Sequence, residues 1–397
     1  MKKRIFIAMH YLEIGGAETS LIGLLHSFDY SKYEVDLFLY AHRGELMRYI
    51  PKEVRLLPEE KKYAQLEIPI VEVIQQGSLD IALARLWGKY KYARYIRKKQ
   101  KLVDISLFQY IQDAVMPFLS SMKKLGTYDL AISFLIPHGI VLEKVSAKKK
   151  IAWIHTDYST IQVNVEKELP VWSQYDYIAS ISDEVTKAFL KSFPSLKNKI
   201  ILIENILSKD LILQRATEEK ISFLKENGRI NFLSIGRFSY AKNFDNVPDI
   251  CKRIREAGYN AYWHIIGYGG DEALIRQKIA EAGIQEFVLL LGKKENPYPY
   301  IQACDYYIQP SRYEGKSVTV REAQLLGKPV IVADYPTAKS QILDKVTGFI
   351  VPLENVACAQ GIVNILKNQD DVLRVVQNIS QKDFENSNEV QKIYQII

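Results

Sequence analysis

Cysteine is scarce here: three in 397 residues, Cys251, Cys304 and Cys358, far apart and without a Cys-x-x-Cys or Cys/His ligand spacing. That excludes a disulfide framework, argues against structural zinc, and suits a reducing compartment. Glycine and proline are modest at 20 and 14, and 48% hydrophobic with 25% charged residues is an ordinary globular balance. Fibrous and disordered classes drop out. No run approaches 18 consecutive apolar residues, so the sequence offers no membrane-spanning helix. Histidines number six and do not cluster. No Gly-x-Gly-x-x-Gly opens a βα unit, which removes the main support for a nicotinamide or flavin cofactor. The start, Met1-Lys2-Lys3-Arg4 before Ile5 to Met9, is charged, but its apolar run breaks at His10 and Glu13, too soon for a secretory leader. It reads as the first strand of a cytoplasmic protein.

What is present is a repeated alternation of strand and helix patterns, over a length that suggests two domains. Strands are expected at Arg4 to Met9, Tyr33 to Tyr40, Leu130 to Phe134, Lys150 to Ile154 and Tyr177 to Ser180, with a helix at Ala17 to His26 and long helices at Ile81 to Arg97 and Ile105 to Lys124. A polar stretch, Asn205 to Asn227, shows no strong strand and holds the linker near Ile206 to Lys209. A second series follows at Ile230 to Ile235, Ala261 to Ile266, Phe287 to Leu291, Tyr306 to Gln309 and Pro329 to Ala333. The expected fold class is α/β, two Rossmann-like domains facing across a cleft. The domains would be 1–205 and 206–380, with a C-terminal helix in 381–397 crossing back. Such sheets bind ligands beyond the carboxyl ends of their strands.

Three segments carry candidate chemistry. Glu314 and Glu322 lie eight residues apart in Ser311-Arg312-Tyr313-Glu314-Gly315-Lys316-Ser317-Val318-Thr319-Val320-Arg321-Glu322, across a loop-to-helix junction that follows a strand. On the opening turns of one helix they would share a face and could grip hydroxyls of an extended ligand, while the NH groups from Gly315 through Lys316, Ser317 and Val318 would favour an anion. Gly236-Arg237-Phe238 leads to Lys242-Asn243, a planar fork and a point charge that could hold a diphosphate from two sides. Gly15-Gly16-Ala17-Glu18 follows the first strand and opens a helix, where glycines admit a ligand and helix NH groups suit phosphate.

Together these motifs, with Leu326-Gly327-Lys328-Pro329-Val330-Ile331, resemble glycosyltransferase family 4, retaining enzymes of the GT-B fold that use no metal; no Asp-x-Asp stands between the strands. The resemblance is strong from Asn231 to Pro352 and loose before. It implies that Glu322 bonds the ribose of a nucleotide sugar and Glu314 the transferred sugar. Arg237 and Lys242 would neutralise the leaving diphosphate, and Gly15 and Gly16 would meet the donor phosphates. Gly267 and Gly269, in Gly267-Tyr268-Gly269, would admit the nucleotide. His155 in Trp153-Ile154-His155-Thr156-Asp157 would orient the donor sugar, with Asp157 a partner; a lone histidine is otherwise more often structural. Ser180-Ile181-Ser182, Glu204-Asn205 and Leu291-Gly292 with Tyr300 and Asp305 fit the same pattern as structural pieces.

The implied function is transfer of a sugar, from a UDP-sugar by default, to a glycan or polyprenyl-linked saccharide. Tyr335 to Ser340 resembles a form found in bacterial surface-polysaccharide enzymes, which leans towards capsule, exopolysaccharide or lipopolysaccharide assembly. No cofactor and no metal are expected. Alternatives are a nucleotide-sugar epimerase on the same fold, or a non-catalytic partner subunit. From Lys89 to Lys101 the chain reads Lys-Tyr-Lys-Tyr-Ala-Arg-Tyr-Ile-Arg-Lys-Lys-Gln-Lys, seven basic residues and no acid. This is a solvated helix face, a nucleic-acid patch or a surface for anionic lipid; with no nucleic-acid-binding module beside it, membrane contact ranks first and nucleic acid last.

Overall fold

The computed structural model describes residues 2–97, 105–156, 158, 161–221, 223, 228–314, 316–382 and 384–397. The chain divides into two compact units, Met1–Ile206 with Asn386–Ile397, and Leu207–Glu385. The return to the first unit begins at Asn386 rather than at 381, because a helix of the second unit, Gln369–Gln381, runs through that boundary. The tail is then held on the first unit by Tyr394, whose ring stacks on Tyr33 at 4.1 Å and whose hydroxyl accepts from the Asp29 amide.

The first unit carries a seven-stranded sheet: β1 Lys3–Met9, β2 Tyr33–Leu39, β3 Arg55–Leu56, β4 Tyr128–Ser133, β5 Ala147–Ile154, β6 Tyr177–Ser180 and β7 Ile200–Leu202, in the order β3-β2-β1-β4-β5-β6-β7. The second carries six: β8 Ile230–Ile235, β9 Ala261–Ile266, β10 Val288–Gly292, β11 Tyr306–Gln309, β12 Val330–Ala333 and β13 Phe349–Val351, ordered β10-β9-β8-β11-β12-β13. All the pairings are parallel. Period-two alternation sends each strand's side chains to opposite faces. Phe232 and Ile331 enter one core layer of the second unit, while their neighbours Leu233, Val330 and Val332 enter the other. Covered on both faces, these strands are apolar throughout.

Three elements depart from the sequence expectation. The helix expected at Ile105 to Lys124 is Ser106–Val115 followed by two short 3-10 turns, since Pro117 cannot continue an α-helical hydrogen-bond ladder. The polar stretch after Asn205 contains a helix, Lys209–Ala216, capped by Ser208 accepting from the Leu211 amide. The edge strands β3, β7 and β13 are two or three residues long, too short to show a period.

Both sheets reverse strand order once, at β1/β4 and at β8/β11. A crevice opens at such a switch point because the flanking loops leave in opposite directions. In the first unit the β1/β4 switch gathers the loops from His10 and from Phe134. In the second unit the β8/β11 switch gathers those from Gly236 and from Pro310.

Candidate functional site

At the β8/β11 switch the loops are laced together by the main chain. Phe238 N donates to Tyr268 O at 2.9 Å and Arg312 N to Ala241 O at 2.8 Å, tying the loop after β8 to those after β9 and β11. Asn243, left-handed at φ 60°, donates its side-chain amide to Pro310 O at 2.8 Å. Glycine is required where these loops touch: Gly267 has φ 154°, and a Cβ on it would lie 1.9 Å from Gly236 O. Gly269, with φ 156°, backs onto Phe238 in the same way. A Cβ on Gly236 would come within 3.1 Å of the Lys242 stem, so that glycine clears the path of the lysine.

Lys242 Nζ reaches Glu314 Oε1 at 2.6 Å, with both side chains largely buried. The same oxygen accepts from Ser311 Oγ at 2.6 Å and Gln309 Nε2 at 3.0 Å, so three donors fix the carboxylate. Arg237, two residues beyond the end of β8, is exposed and makes no side-chain hydrogen bond or ion pair among the described residues. Among the described residues the site therefore presents an exposed Arg237 guanidinium and a Lys242 ammonium already partnered by a carboxylate.

Glu314 and Glu322 do not share a helix face. The helix is Val318–Leu325, which leaves Glu314 in the preceding loop and Glu322 in the second turn. Glu322 is 4% exposed and its Oε1 accepts from Tyr298 hydroxyl at 2.7 Å. Burial raises its pKa, opposed by that hydrogen bond and by Arg215, which lies 4.8 Å over the Tyr298 ring. The expected anion-binding NH run is partly spent: Ser317 N donates to Gln341 Oε1 at 2.8 Å, and Ser317 Oγ bonds Thr319 instead of capping the helix. Val318 opens the helix and Lys316 is half-buried, while Gly315 lies outside the described residues.

In the first unit, Gly15 is the N-cap of Gly16–Ser27 and Gly16 its first residue. The Glu18 carboxylate folds back to within 2.1 Å of where a Gly15 Cβ would stand. It is bonded by Glu18's own first-turn amide, and burial raises its pKa. His155 directly follows β5 and is half-buried with its Nε2 enclosed, its ring parallel to Trp153 and 4.6 Å from Phe134. Burial drives its pKa down to about 3, so the ring is neutral and serves as a hydrogen-bonding group, not an acid. Its Nε2 is buried without a partner among the described residues. Asp157 lies outside them. His138, on the loop after β4, is fully buried, with Nδ1 on Ser133 Oγ at 2.8 Å and Nε2 without a partner among the described residues. Ser182 caps the helix Asp183–Ser192 and Asn205 accepts from Ser20, so both are structural.

Sequence reasoning missed the supporting residues: Gln309 and Ser311 around Glu314, and Tyr298 and Arg215 around Glu322. Gln309 carried a signal, a polar residue ending an otherwise apolar strand; Tyr298 and Arg215, distant in sequence, carried none. Among the described residues no cluster of three His, Cys, Asp or Glu could hold a metal ion, and no helix is long and apolar enough to cross a membrane.

Residues 215–382 match the family described as Glycosyl transferases group 1, so the second unit carries a domain of that type. Among curated proteins the chain is similar to the amylovoran biosynthesis glycosyltransferase AmsK of Erwinia amylovora, 24% identical over 64% of this chain and 70% of that one. It is also similar to the N-acetylgalactosamine-N,N'-diacetylbacillosaminyl-diphospho-undecaprenol 4-alpha-N-acetylgalactosaminyltransferase of Campylobacter jejuni, 25% identical over 51% and 54% of the two chains. The match spans about half the length of several of these relatives. Among solved structures, Anabaena HepE in complex with UDP and glucose superposes with a TM-score of 0.65, covering 99% of this chain and 98% of that one at 16% identity. The fold is thus that of GT-B glycosyltransferases, two Rossmann-like α/β domains.

Proposed function

We propose that this chain is a retaining glycosyltransferase of the family 4 type, transferring a hexosyl group from a UDP-sugar to a glycan or polyprenyl-linked saccharide during assembly of a bacterial surface polysaccharide. One observation carries the reading: Lys242 and Glu314 meet at 2.6 Å at the switch point of the second sheet, with the exposed Arg237 on the same loop as Lys242. A diphosphate needs cations and a sugar needs fixed hydroxyl acceptors, and this loop cluster supplies both. HepE with UDP and the undecaprenyl-linked acceptor in the Campylobacter relative's name support the donor and acceptor classes.

In this reading the bond from the anomeric carbon to the diphosphate breaks while the acceptor oxygen attacks from the same face. The departing phosphate oxygen takes the acceptor's proton, so no strong protein base is needed. Arg237 and Lys242 stabilise the charge that develops on the leaving group. Glu314, its Oε1 saturated by three donors, turns its remaining acceptor capacity to the sugar, and Glu322 holds the ribose. His155, neutral and with Nε2 unpartnered, offers a hydrogen bond to the donor sugar. The protein would work in the cytoplasm, with Lys89 to Lys101 meeting an anionic membrane surface; Lys98 to Lys101 lie outside the described residues.

A thermal-shift panel of UDP-, GDP- and ADP-sugars on the wild-type chain, Arg237→Ala and Glu322→Ala tests this. Ligand at 100 times its dissociation constant adds about 2.7 kcal/mol. A midpoint rise with UDP-sugars that both substitutions abolish is expected; no rise with any nucleotide sugar favours the partner-subunit reading.

A further inference from the structure

The helix Leu79–Ile96 has two unlike faces. Ile81, Ala82, Ala84, Arg85 and Gly88 are buried, and the helix crosses Ser106–Val115 so closely that a Cβ on Gly88 would lie 2.7 Å from Tyr110 O. The other face is open. Leu79, Leu83, Leu86, Trp87 and Tyr90 are between 47% and 66% exposed. Their spacing of four, three, one and three residues makes one stripe along a 3.6-residue helix. The span from Val71 to Phe108, about a tenth of the chain, holds 8 of the 20 exposed large hydrophobic residues among those described. Scattered apolar side chains are ordinary on a surface; a contiguous stripe marks something that covers it.

The charges beside the stripe identify the cover. Between Ile81 and Arg97 there is no acid, and Lys89, Lys91, Arg94 and Arg97 follow the apolar residues. Lys91 Nζ lies 5.2 Å over the Trp87 ring and the Arg94 guanidinium 6.0 Å over Tyr90, so cations border the aromatic end of the stripe. Of the nearby carboxylates, Asp80 is paired with Lys62 at 2.6 Å, and Glu72 sits on the preceding helix, Ile70–Gln75. A second copy would set cations against cations. An anionic bilayer instead offers phosphates at the level where Lys and Arg extend, an interfacial zone that suits Trp and Tyr, and acyl chains for the leucines.

We infer that the Leu79–Tyr90 stripe inserts into the headgroup and upper acyl layer of an anionic membrane, with Lys89, Lys91 and Arg94 on the phosphates. This deepens, and rests on, the membrane contact proposed above: the apolar stripe, not the basic run alone, is the anchor. Attachment by charge alone disappears once salt screens it; an inserted stripe keeps part of its hold.

The protein carries its own probe. Of its four tryptophans, Trp153, Trp172 and Trp263 are at most 2% exposed, and Trp87 is 53% exposed. The full-length chain is mixed with vesicles of phosphatidylglycerol and phosphatidylcholine, and tryptophan emission and its quenching by brominated acyl chains are followed, with sedimentation reporting binding. The expected result is a blue shift and quenching that persist in part at about 0.5 M salt. Leu83→Glu with Leu86→Glu should weaken binding about tenfold or more with circular dichroism unchanged, since both positions are exposed. Sedimentation without quenching, abolished by salt and indifferent to the leucine changes, would overturn insertion and leave a purely electrostatic membrane contact. No sedimentation at any composition would overturn both. A blue shift that grows with protein concentration and needs no vesicles would assign the stripe to a second copy.

Discussion

The two units are built on parallel sheets that reverse order at one point, and main-chain bonds lace carboxyl-end loops in both, Leu12 N to Arg43 O at 3.0 Å and Leu46 N to Leu12 O at 2.9 Å in the first. Yet the side chains of those loops are used differently. In the second unit the loops after β8, β9 and β11 are tied by main-chain bonds, and Lys242 and Glu314 are already paired. In the first unit the corresponding loops carry two neutral histidines whose Nε2 atoms have no partner among the described residues, and the Glu18 carboxylate folds over Gly15 at the helix start. The second is preorganised for one kind of ligand. The first keeps unspent hydrogen-bonding capacity at its histidines and an exposed apolar stripe. The family match runs over residues 215–382, wholly inside the second unit.

Acid should separate the units most strongly. Burial holds His138 and His155 down to about 3 and His264, in the second unit, to about 4, against an ordinary value of 6.5. The unfolded chain therefore takes up protons first as pH falls. This stabilisation is complete above pH 6.5 and is lost progressively below it, by about 2 kcal/mol per histidine at pH 5. The first unit should lose about 4 kcal/mol and the second about 2. The raised carboxylates, Glu18 in one and Glu322 in the other, act in the opposite sense in both units. Hydrogen exchange at pH 7 and pH 5, corrected for intrinsic rates, should show β4 and β5 losing more protection than β8 and β9; equal loss would break the distinction.

Gly267→Ala sharpens the claim that the second unit's loops are locked. The new Cβ meets Gly236 O at 1.9 Å from a backbone at φ 154°. A cost of about 3 kcal/mol is expected, seen as a lowered denaturation midpoint. Gly16→Ala, with nothing within 4 Å of its Cβ, should cost almost nothing. Tyr298→Phe is smaller, about 1 to 2 kcal/mol, because it leaves the buried Glu322 carboxylate one donor short. It should weaken UDP binding with little change in the transfer rate at saturating donor, a split that steady-state kinetics resolves.

How far the sequence alone carried the fold depended on burial. β6, β8, β9 and β11 lie where their apolar runs end, because a doubly covered strand has a sharp compositional edge. β7 and β13, three residues each, have no such edge, and Pro117 ended a helix whose periodicity ran on past it. In the candidate site the charged residues were legible by type and order, but their partnerships were not. The loop-to-helix junction between Glu314 and Glu322 was legible and lies at Val318, but which side chains hold each carboxylate was not. That Ser317 gives its amide to Gln341 depends on a residue 24 positions away. The Leu79–Tyr90 stripe was hidden for the same reason: a helix of mixed residues shows which face is open only once Gly88 is seen against Tyr110.

The central claim is that the second unit holds a nucleoside diphosphate through Arg237, Lys242 and Glu322. Calorimetric titration of UDP into the full-length chain, into Lys242→Ala and Glu322→Gln, and into His155→Ala tests it most directly. The account predicts that each of the first two weakens UDP binding by about tenfold or more, while His155→Ala leaves it unchanged, because that histidine faces the sugar and UDP has none. UDP binding as tightly to Lys242→Ala and Glu322→Gln as to the wild-type chain would contradict it.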